Sequence, residues 1–360
     1  MDTNLTATKL ATQAKLVWQR PFIRRGSAAA VLLVLLVFVP AMTLAPVPPA
    51  WVPEPLALWA LDTRLLIGRP LTTLASLAQA VQGETAVTFS RDGERVEFES
   101  DGLTIAGTLY GAEEAARKPA VLLLHGSTPQ GRKLGLYRLM GSKLAEQGYV
   151  VLTIDQRGFG QSDNPPDVQD AASFDFVADV NAALAYLVAA PGVDPDEIYL
   201  VGHSFGGDVA LTAVADGGAL VEKLVLIGPG RHFLERGGTP GAPEFDYFRR
   251  REMRYMFLWR AIPEDVFIDY RTVLPLENHN DYLAQPSHVP LLLLDGALES
   301  SDDQRFLQDV YETAVGEKAY ITLENADHYA NTANFGPLII YDETAVDQLI
   351  KGIDRFLDEE

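Results

Sequence analysis

Short apolar runs alternate with helical stretches along most of the chain, and this alternation constrains the fold more than any other feature. The runs occupy residues 120–124, 150–154, 198–201, 224–227, 291–294 and 320–323. Between them lie amphipathic stretches such as 174–188, where Phe176, Val180 and Leu184 share one helical face. Strands that are apolar throughout are buried on both faces, and intervening helices make them parallel. The pattern therefore predicts a mostly parallel sheet with helices on both faces.

Antiparallel strands are predicted ahead of these runs, and one more helix is predicted after them. Residues 86–91 and 95–100 flank Asp92-Gly93, which is typical of a β-hairpin. Residues 103–110 continue as a third, alternating strand. Residues 343–357 carry apolar side chains at helical spacing and predict the last helix.

The N-terminus has the pattern of a membrane anchor. The apolar residues 28–45 follow a segment, 1–27, that carries five Lys or Arg against one Asp, and no Lys or Arg follows until Arg64. About 18 apolar residues suffice to span a bilayer. The positive-inside rule then places residues 1–27 in the cytoplasm and the rest of the chain outside it. A cleavable signal peptide ending near Ala45 is the alternative, but its basic segment would be unusually long, so we expect an uncleaved anchor.

Residues 46–83 are predicted to connect the anchor to the body. Five prolines between Pro46 and Pro55 form a stiff, extended spacer. A Leu- and Ala-rich stretch, 56–81, is interrupted at Gly68-Arg69-Pro70 and predicts two short helices. These helices either lie on the membrane surface or pack on the body, and the sequence leaves both possibilities open.

One connection is far longer than an ordinary loop. About sixty residues separate the strands at 224–227 and 291–294, and connections of this length are uncommon in compact domains. We place an insertion at about 231–287, where aromatic side chains alternate with arginines. It is interpreted as a helical cap or lid over a pocket, with an ordinary helical excursion on the sheet as the alternative.

Charge and cysteine content exclude several classes of function. The chain has a formal net charge of −20 and no cysteine. So acidic a protein repels phosphate backbones, which argues against a nucleic-acid partner. The lack of cysteine excludes disulfides, thiolate nucleophiles and cysteine-ligated zinc. Any catalysis must therefore use oxygen or nitrogen groups.

A candidate nucleophile lies in Gly202-His203-Ser204-Phe205-Gly206-Gly207, which fits the pattern G-x-S-x-G. The motif directly follows the strand at 198–201 and opens a helical stretch. This is the strand, sharp turn and helix that expose the serine of a nucleophile elbow. The small residues are needed because side chains at Gly202 or Gly206 would collide with neighbouring backbone. Ser204 is therefore the predicted nucleophile.

A serine hydroxyl needs a histidine base within hydrogen-bond reach. His328 follows the last predicted strand, and the carboxyl ends of parallel strands are where such sheets gather functional groups. The other five histidines are less well placed. His203 is next to the serine, on a tight turn, and His125 precedes the predicted oxyanion loop. His232 and His279 lie in the insertion, and His288 lies at its end. His328 is the predicted base.

The acid that orients the base is expected in the loop after strand 291–294. This loop contains Asp295, Glu299, Asp302 and Asp303. We choose Glu299, with Asp302 as the alternative, since Asp295 lies at the strand edge and suits a structural role.

An oxyanion intermediate needs two backbone amide donors. The amide of Phe205, at the start of a helix, supplies one, and the loop His125-Gly126-Ser127-Thr128 supplies the other. Within that loop Ser127 is favoured over Thr128.

Four segments together resemble the α/β-hydrolase superfamily: Leu-Leu-His-Gly-Ser at 123–127, Asp-Gln-Arg-Gly-Phe-Gly-Gln-Ser at 155–162, Gly-His-Ser-Phe-Gly-Gly at 202–207 and Ala-Asp-His at 326–328. The resemblance covers about residues 84–360 and is to lipase-, esterase- and peptidase-like members with a cap. It implies a mostly parallel eight-stranded sheet, Ser204, Glu299 and His328 as a triad, Ser127 and Phe205 as the oxyanion hole, and no cofactor or metal. Family members usually carry Asp where this chain has Glu299.

These features predict a serine hydrolase that cleaves an ester, a thioester or an amide through an acyl-enzyme on Ser204, with a carboxylic ester preferred. Its expected partners are a small or lipid-like acyl substrate and the membrane, through the anchor. The alternative is a non-catalytic, membrane-tethered hydrolase fold that binds an apolar or lipid ligand, because fold alone does not fix function.

Overall fold

The structure is a computed structural model that describes residues 73–89, 93–113, 117–215, 220–229 and 289–359, with 245, 249, 256, 262–263, 265–268 and 280–285 between the last two ranges. The predicted basic segment 1–27, the predicted anchor 28–45, most of the predicted connection 46–83 and most of the predicted cap 231–287 lie outside the described residues.

Among the described residues, eight strands form the main sheet in the order β2-β3-β5-β4-β6-β7-β8-β9. Their bounds are β2 Glu94–Ser100, β3 Leu103–Tyr110, β4 Lys118–Leu124, β5 Val150–Ile154, β6 Val193–His203, β7 Lys223–Ile227, β8 Leu291–Gly296 and β9 Lys318–Leu323. The strands from β5 to β9 in this order are parallel, whereas β2 and β3 are antiparallel to their neighbours. All six apolar runs lie in strands, so the prediction of a mostly parallel sheet is confirmed.

Helices cover both faces of this sheet, as the pattern predicted. They are α1 73–82, α2 Gly135–Glu146, α3 Phe176–Ala189, α4 Phe205–Ala215, α5 Ser301–Thr313 and α6 Glu343–Asp358, with a single turn at Asn280–Leu283. Apolar residues of α3, α4 and α5 pack in one core cluster, and those of α2 and α6 pack in another. The strands alternate between the two clusters, because successive side chains of a strand point to opposite faces.

A second, three-stranded antiparallel sheet corrects one prediction. It consists of β1 Thr85–Phe89, β10 Thr332–Phe335 and β11 Leu338–Asp342, in the order β1-β11-β10. The hairpin predicted across Asp92-Gly93 is wrong, because β1 pairs with β11 and β2 pairs with β3. The β2–β3 turn is Asp101-Gly102, with φ values of 49° and 78°. Two consecutive residues with positive φ are what a tight hairpin turn requires.

The helix α1 packs on the body of the protein. Its Ser76 and Ala80 are buried, and the Thr85 hydroxyl donates a hydrogen bond of 2.8 Å to the Ala80 carbonyl. The backbone of Glu343 also donates to the Glu84 carbonyl at 2.8 Å, which ties the end of this segment to α6. The sequence left open whether the connecting helices lie on the membrane surface or pack on the body. The described helix, α1, packs on the body.

A buried ion pair joins α3 to the loop after β5. The Arg157 guanidinium donates to Asp179 Oδ1 at 2.8 Å, and the Arg157 amide donates to Oδ2 at 2.8 Å. Their side chains are only 3% and 0% exposed. Residues 171–189 are long and apolar enough to span a membrane by length and composition. This pair and the core contacts of α3 instead identify the stretch as a core helix of the domain.

Replacing Asp179 with alanine is expected to lower the free energy of unfolding by about 3–5 kcal/mol, because Arg157 would lose its buried counter-ion and keep only the exposed Asp101, at 3.5 Å. Urea titration followed by circular dichroism measures the change. The control is Glu359→Ala, which removes an exposed partner of Arg355 and should cost no more than about 0.5 kcal/mol. Equal effects of the two substitutions would contradict this account of the pair.

Candidate active site

Ser204 lies at a sharp turn between the end of β6 and the start of α4. Its φ is +53°, in the left-handed region that residues other than glycine adopt at an energetic cost. The Ser204 amide donates to the Ile227 carbonyl at 2.8 Å, so the turn lies at the end of β7. A Cβ atom at Gly202 would come within 2.3 Å of the Gly206 carbonyl oxygen. The strand, turn and helix predicted around this serine are therefore present.

His328 and Glu299 are brought together from two different loops. The imidazole Nδ1 of His328 lies 3.1 Å from Glu299 Oε2. The other carboxylate oxygen, Oε1, accepts from the Gly296 amide at 3.3 Å. The Glu299 side chain is 9% exposed and that of His328 is 33% exposed. The glutamate is thus held by the backbone and shielded, while the imidazole reaches solvent.

The same strand end that holds Ser204 also faces this pair. Gly228, the residue after β7, has a φ of +47°. A Cβ atom here would lie 3.0 Å from Glu299 Oε1 and 3.2 Å from His328 Cε1. The Ser204 amide donates a hydrogen bond to the carbonyl of Ile227, the residue before Gly228. The serine, the histidine and the glutamate therefore all lie at the carboxyl end of β7.

The other carboxylates of the loop lie in different surroundings. Asp302 is in the first turn of α5, where its side chain is 59% exposed and 3.8 Å from the Arg305 guanidinium. Asp295 is buried at the end of β8 and accepts a 2.6 Å hydrogen bond from the Tyr320 hydroxyl. Burial raises the pKa of the Asp295 carboxyl. Glu299 is thus the carboxylate that contacts His328 Nδ1 in the structure.

The predicted oxyanion loop lies against the nucleophile turn. Phe205 is the first residue of α4, and Ser127 is half-buried in the loop after β4. A Cβ atom at Gly126 would come within 2.8 Å of Ser204 Cβ. Thr128 is buried, and its hydroxyl accepts from the Gln130 amide. The loop after β4 therefore lies directly against the nucleophile turn, as the predicted oxyanion hole requires.

A buried hydrogen-bond chain that the sequence did not reveal connects these segments. The Gly126 amide donates to the Tyr137 hydroxyl at 2.7 Å, and that hydroxyl lies 2.8 Å from His203 Nδ1. His203 Nε2 lies 2.8 Å from the His328 carbonyl oxygen. Since a carbonyl only accepts, Nε2 carries the proton, and Nδ1 accepts from the tyrosine. Burial, and secondarily the charge of His328, lower the pKa of His203 well below its usual value, which keeps this imidazole neutral.

Replacing Tyr137 with phenylalanine is expected to lower stability by about 1–3 kcal/mol, because the Gly126 amide and His203 Nδ1 would each lose a buried partner. A fall in kcat of about ten-fold is expected as well, since small shifts of catalytic groups are costly. Thermal unfolding and ester hydrolysis measure the two effects. The control is Tyr149→Phe, another buried tyrosine, whose hydroxyl contacts Asp354 rather than the segments of this chain. A Tyr137→Phe protein that behaves like this control would contradict the role of the chain.

The loop that carries His328 is organised by the neighbouring Asp327. One of its oxygens, Oδ1, accepts from the amides of Tyr329 at 2.9 Å and Asn331 at 2.8 Å. The other, Oδ2, accepts from the Ser76 hydroxyl of α1 at 2.7 Å. The predicted connection to the N-terminus therefore contributes directly to the support of the histidine loop.

The segment Asp155-Gln-Arg-Gly-Phe-Gly contacts the predicted oxyanion loop. Asp155 is buried, forms an ion pair with Arg132 and accepts from the Arg132 amide at 2.7 Å. The Gln156 amide donates to His125 Nε2 at 3.2 Å, and burial lowers the pKa of this histidine. Met256, a described residue of the insertion, is buried within reach of Gly158 in this segment.

No cluster of three or more metal-binding side chains occurs among the described residues.

The chain matches known proteins over its central part. Residues 115–242 match the family described as serine aminopeptidase, S33. The chain is 39% identical over 129 residues to the polyketide transferase claH of Penicillium crustosum, covering 34% of this chain and 40% of that protein. It is 31% identical over 135 residues to the AB hydrolase superfamily protein YisY of Bacillus subtilis strain 168, covering 37% and 46% respectively. These matches therefore span less than half the length of either relative.

Solved structures extend the likeness over more of the chain. The structure of Est1E from Butyrivibrio proteoclasticus with bound ferulic acid aligns with a TM-score of 0.54 at 18% identity, covering 73% of this chain and 97% of that one. At this identity the likeness concerns the fold. Together with the sheet order, it shows that this chain has the fold of these hydrolases, and the sequence matches show that its central part is similar to them.

Proposed function

We propose that this protein is a serine hydrolase that cleaves a carboxylic ester through an acyl-enzyme on Ser204. The observation that carries the proposal is the meeting of Ser204, His328 and Glu299 at the carboxyl end of β7. The three groups come from separate segments of the chain, in the roles of nucleophile, base and acid that such catalysis requires.

The proposed reaction proceeds in two acyl-transfer steps. His328 Nε2 takes the proton of Ser204 Oγ as the oxygen attacks the ester carbonyl, and Glu299 accepts a hydrogen bond from Nδ1–H, which fixes the tautomer and stabilises the imidazolium. The amides of Phe205 and Ser127 donate to the oxyanion. The C–O bond of the ester breaks, and His328 returns the proton to the departing alcohol. Water, deprotonated by His328, then attacks the acyl-enzyme and releases the carboxylic acid and free Ser204.

The second candidate function is acyl transfer, which differs from hydrolysis only in the molecule that accepts the acyl group from the acyl-enzyme. The relative named as a polyketide transferase favours an acyl-enzyme that is resolved by an acceptor other than water. The experiment is to supply an ester together with an added alcohol or amine and to measure the products by mass spectrometry. Free acid alone supports hydrolysis, and preferential formation of the new ester or amide supports transfer.

Hydrolysis of short p-nitrophenyl esters tests the proposed function. The wild-type protein is expected to hydrolyse them. The rate of the Ser204→Ala variant is expected to fall to the background rate, because alanine lacks the hydroxyl that attacks the ester. Equal, background-level rates for both proteins would contradict the proposal and favour a non-catalytic binding protein.

We further propose that the domain is held at the membrane by residues 28–45 and works on the extracytoplasmic side on small or lipid-like acyl substrates. The apolar run and the basic residues ahead of it support this placement. Protease added to intact cells should digest the domain. Digestion that occurs only after lysis would contradict the placement.

A further inference from the structure

The loop that carries His328 has a strained backbone. Between β9 and β10, three residues other than glycine have positive φ: Asn325 at 55°, Ala330 at 48° and Asn331 at 52°. Residues other than glycine adopt this left-handed region at an energetic cost. Such strain persists only where the surrounding contacts outweigh it, so specific contacts must hold this loop in its shape.

Asn331 supplies contacts that close this loop around the histidine. Its side-chain oxygen Oδ1 accepts from the Asp327 amide at 2.9 Å, and its own amide donates to Asp327 Oδ1 at 2.8 Å. The Ala330 amide donates to the Asp327 carbonyl at 2.9 Å. Residues 327–331 therefore form a closed turn, and His328 is the second residue of that turn.

The Asn331 side chain also ties the closed turn to the body of the domain. Its Nδ2 donates to the Asn325 carbonyl at 2.7 Å and to Asp342 Oδ2 at 3.3 Å. Asp342 is itself fixed as the N-cap of α6, because its Oδ1 accepts from the Thr344 amide at 3.0 Å. Asn331 is only 1% exposed, and its amide group uses its oxygen and both of its hydrogens in these contacts. Removal of this side chain would leave several buried groups unpaired.

We propose that Asn331 is a positioning residue of the proposed hydrolase, and that its side chain holds the His328 imidazole where Nδ1 meets Glu299. The inference rests on the proposed function, because it needs His328 to act as the base. The glutamate is held separately, since its Oε1 accepts from the Gly296 amide. Loss of the Asn331 side chain therefore frees the histidine and leaves the acid in place. The imidazole then loses the single orientation and tautomer that proton transfer requires.

Asn331→Gly tests the proposal, because glycine adopts positive φ readily and only the side-chain contacts are lost. Asn325→Gly is the matched control. It makes the same substitution in the same loop at nearly the same φ, but at an exposed residue, and it keeps the carbonyl that Asn331 contacts. With a p-nitrophenyl ester, kcat of Asn331→Gly should fall by about 10- to 100-fold while KM stays within about two-fold. Both constants of Asn325→Gly should stay within about two-fold of wild type.

A second variant covers the case in which Asn331→Gly does not fold, which circular dichroism detects. Asn331→Asp keeps the shape of the side chain and the acceptor for the Asp327 amide, but it cannot donate to Asp342 or to the Asn325 carbonyl. Its kcat should fall by about 5- to 10-fold, with KM again within about two-fold. A folded variant at position 331 that has the kcat of the Asn325→Gly control would overturn the proposal.

The tautomer of His328 gives a readout that does not depend on activity. In the full chain labelled with ¹⁵N-histidine, long-range ¹H–¹⁵N spectra of the neutral imidazoles show which ring nitrogen carries the proton. His328→Gln identifies the relevant signals among the six histidines. Wild type and Asn325→Gly should carry the proton on Nδ1, whereas Asn331→Gly and Asn331→Asp should show a mixture of tautomers.

The two readouts separate failure of this inference from failure of the proposed function. The same Nδ1–H tautomer in wild type and in the variants at position 331 would overturn the inference, whatever the activity. An inactive wild type in which these variants still change the tautomer would contradict the proposed function, but it would support the holding of the imidazole by Asn331.

Discussion

Replacing His328 with glutamine is expected to lower kcat for ester hydrolysis by about 10⁵- to 10⁶-fold, comparable to the loss of a triad histidine in other serine hydrolases. Glutamine cannot take the proton from Ser204 Oγ and return it to the leaving alcohol. KM should change little, because the imidazole acts on the reacting atoms. Steady-state kinetics on a p-nitrophenyl ester, with protein concentrations high enough to detect slow turnover, measure the effect.

Stability provides the control for this variant. A third of the His328 side chain is exposed, so its replacement removes little packing, and the melting temperature should shift by only a few degrees. A folded His328→Gln protein that keeps more than about a tenth of the wild-type kcat would contradict the assignment of the general base.

Replacing Glu299 with glutamine is expected to lower kcat by about 10³- to 10⁴-fold, because the amide would support the wrong imidazole tautomer. The Gly296 amide already donates to one oxygen of this side chain, so a glutamine would keep its carbonyl there. Its NH₂ group would then face His328 Nδ1, which could no longer donate a proton to it. The kinetic assay used for His328→Gln measures the loss.

Asp302→Asn is the matched control for the acid. Asp302 lies only three residues after Glu299 but is exposed and near Arg305. The kcat of the Asp302→Asn protein should therefore stay within about two-fold of the wild-type value. A large loss in Asp302→Asn with a small loss in Glu299→Gln would transfer the acid role to Asp302. The sequence left this choice open, and only the geometry around His328 separates the two carboxylates.

The sequence was informative where a local pattern determines the structure. The strands of the main sheet are predictable because their buried apolar runs and the helices between them leave few alternatives. Ser204 is predictable for the same reason, since the nucleophile turn requires small residues between a strand and a helix that are adjacent in sequence.

Long-range pairing explains what the sequence did not reveal. The sequence predicts a hairpin between residues 86–91 and 95–100 because hairpins are local. The partner of β1 is instead β11, which begins at Leu338, and no signal near Thr85 indicates so distant a pairing. The chain from Gly126 through Tyr137 and His203 to the His328 carbonyl likewise joins segments far apart in sequence. The motif identified His203 only as a neighbour of the serine, and its hydrogen bonds give it a separate structural role.

α1 shows how a segment outside the family match can support the site. Residues 115–242 match the family, whereas Ser76 lies well before that range. Its hydroxyl nevertheless contributes one of the three donors to Asp327, which orders the loop of His328. The predicted connection, 46–83, therefore carries a contact that supports the candidate base.

Covalent labelling with a fluorophosphonate tests the central claim most directly, because these reagents phosphonylate a serine only when a neighbouring base activates it. The folded wild-type protein should gain one adduct, located on Ser204 by peptide mass spectrometry. Ser204→Ala should gain none, and His328→Gln should react far more slowly. Absence of an adduct on the folded protein under conditions that label other serine hydrolases, or an adduct on a different residue, would contradict the account.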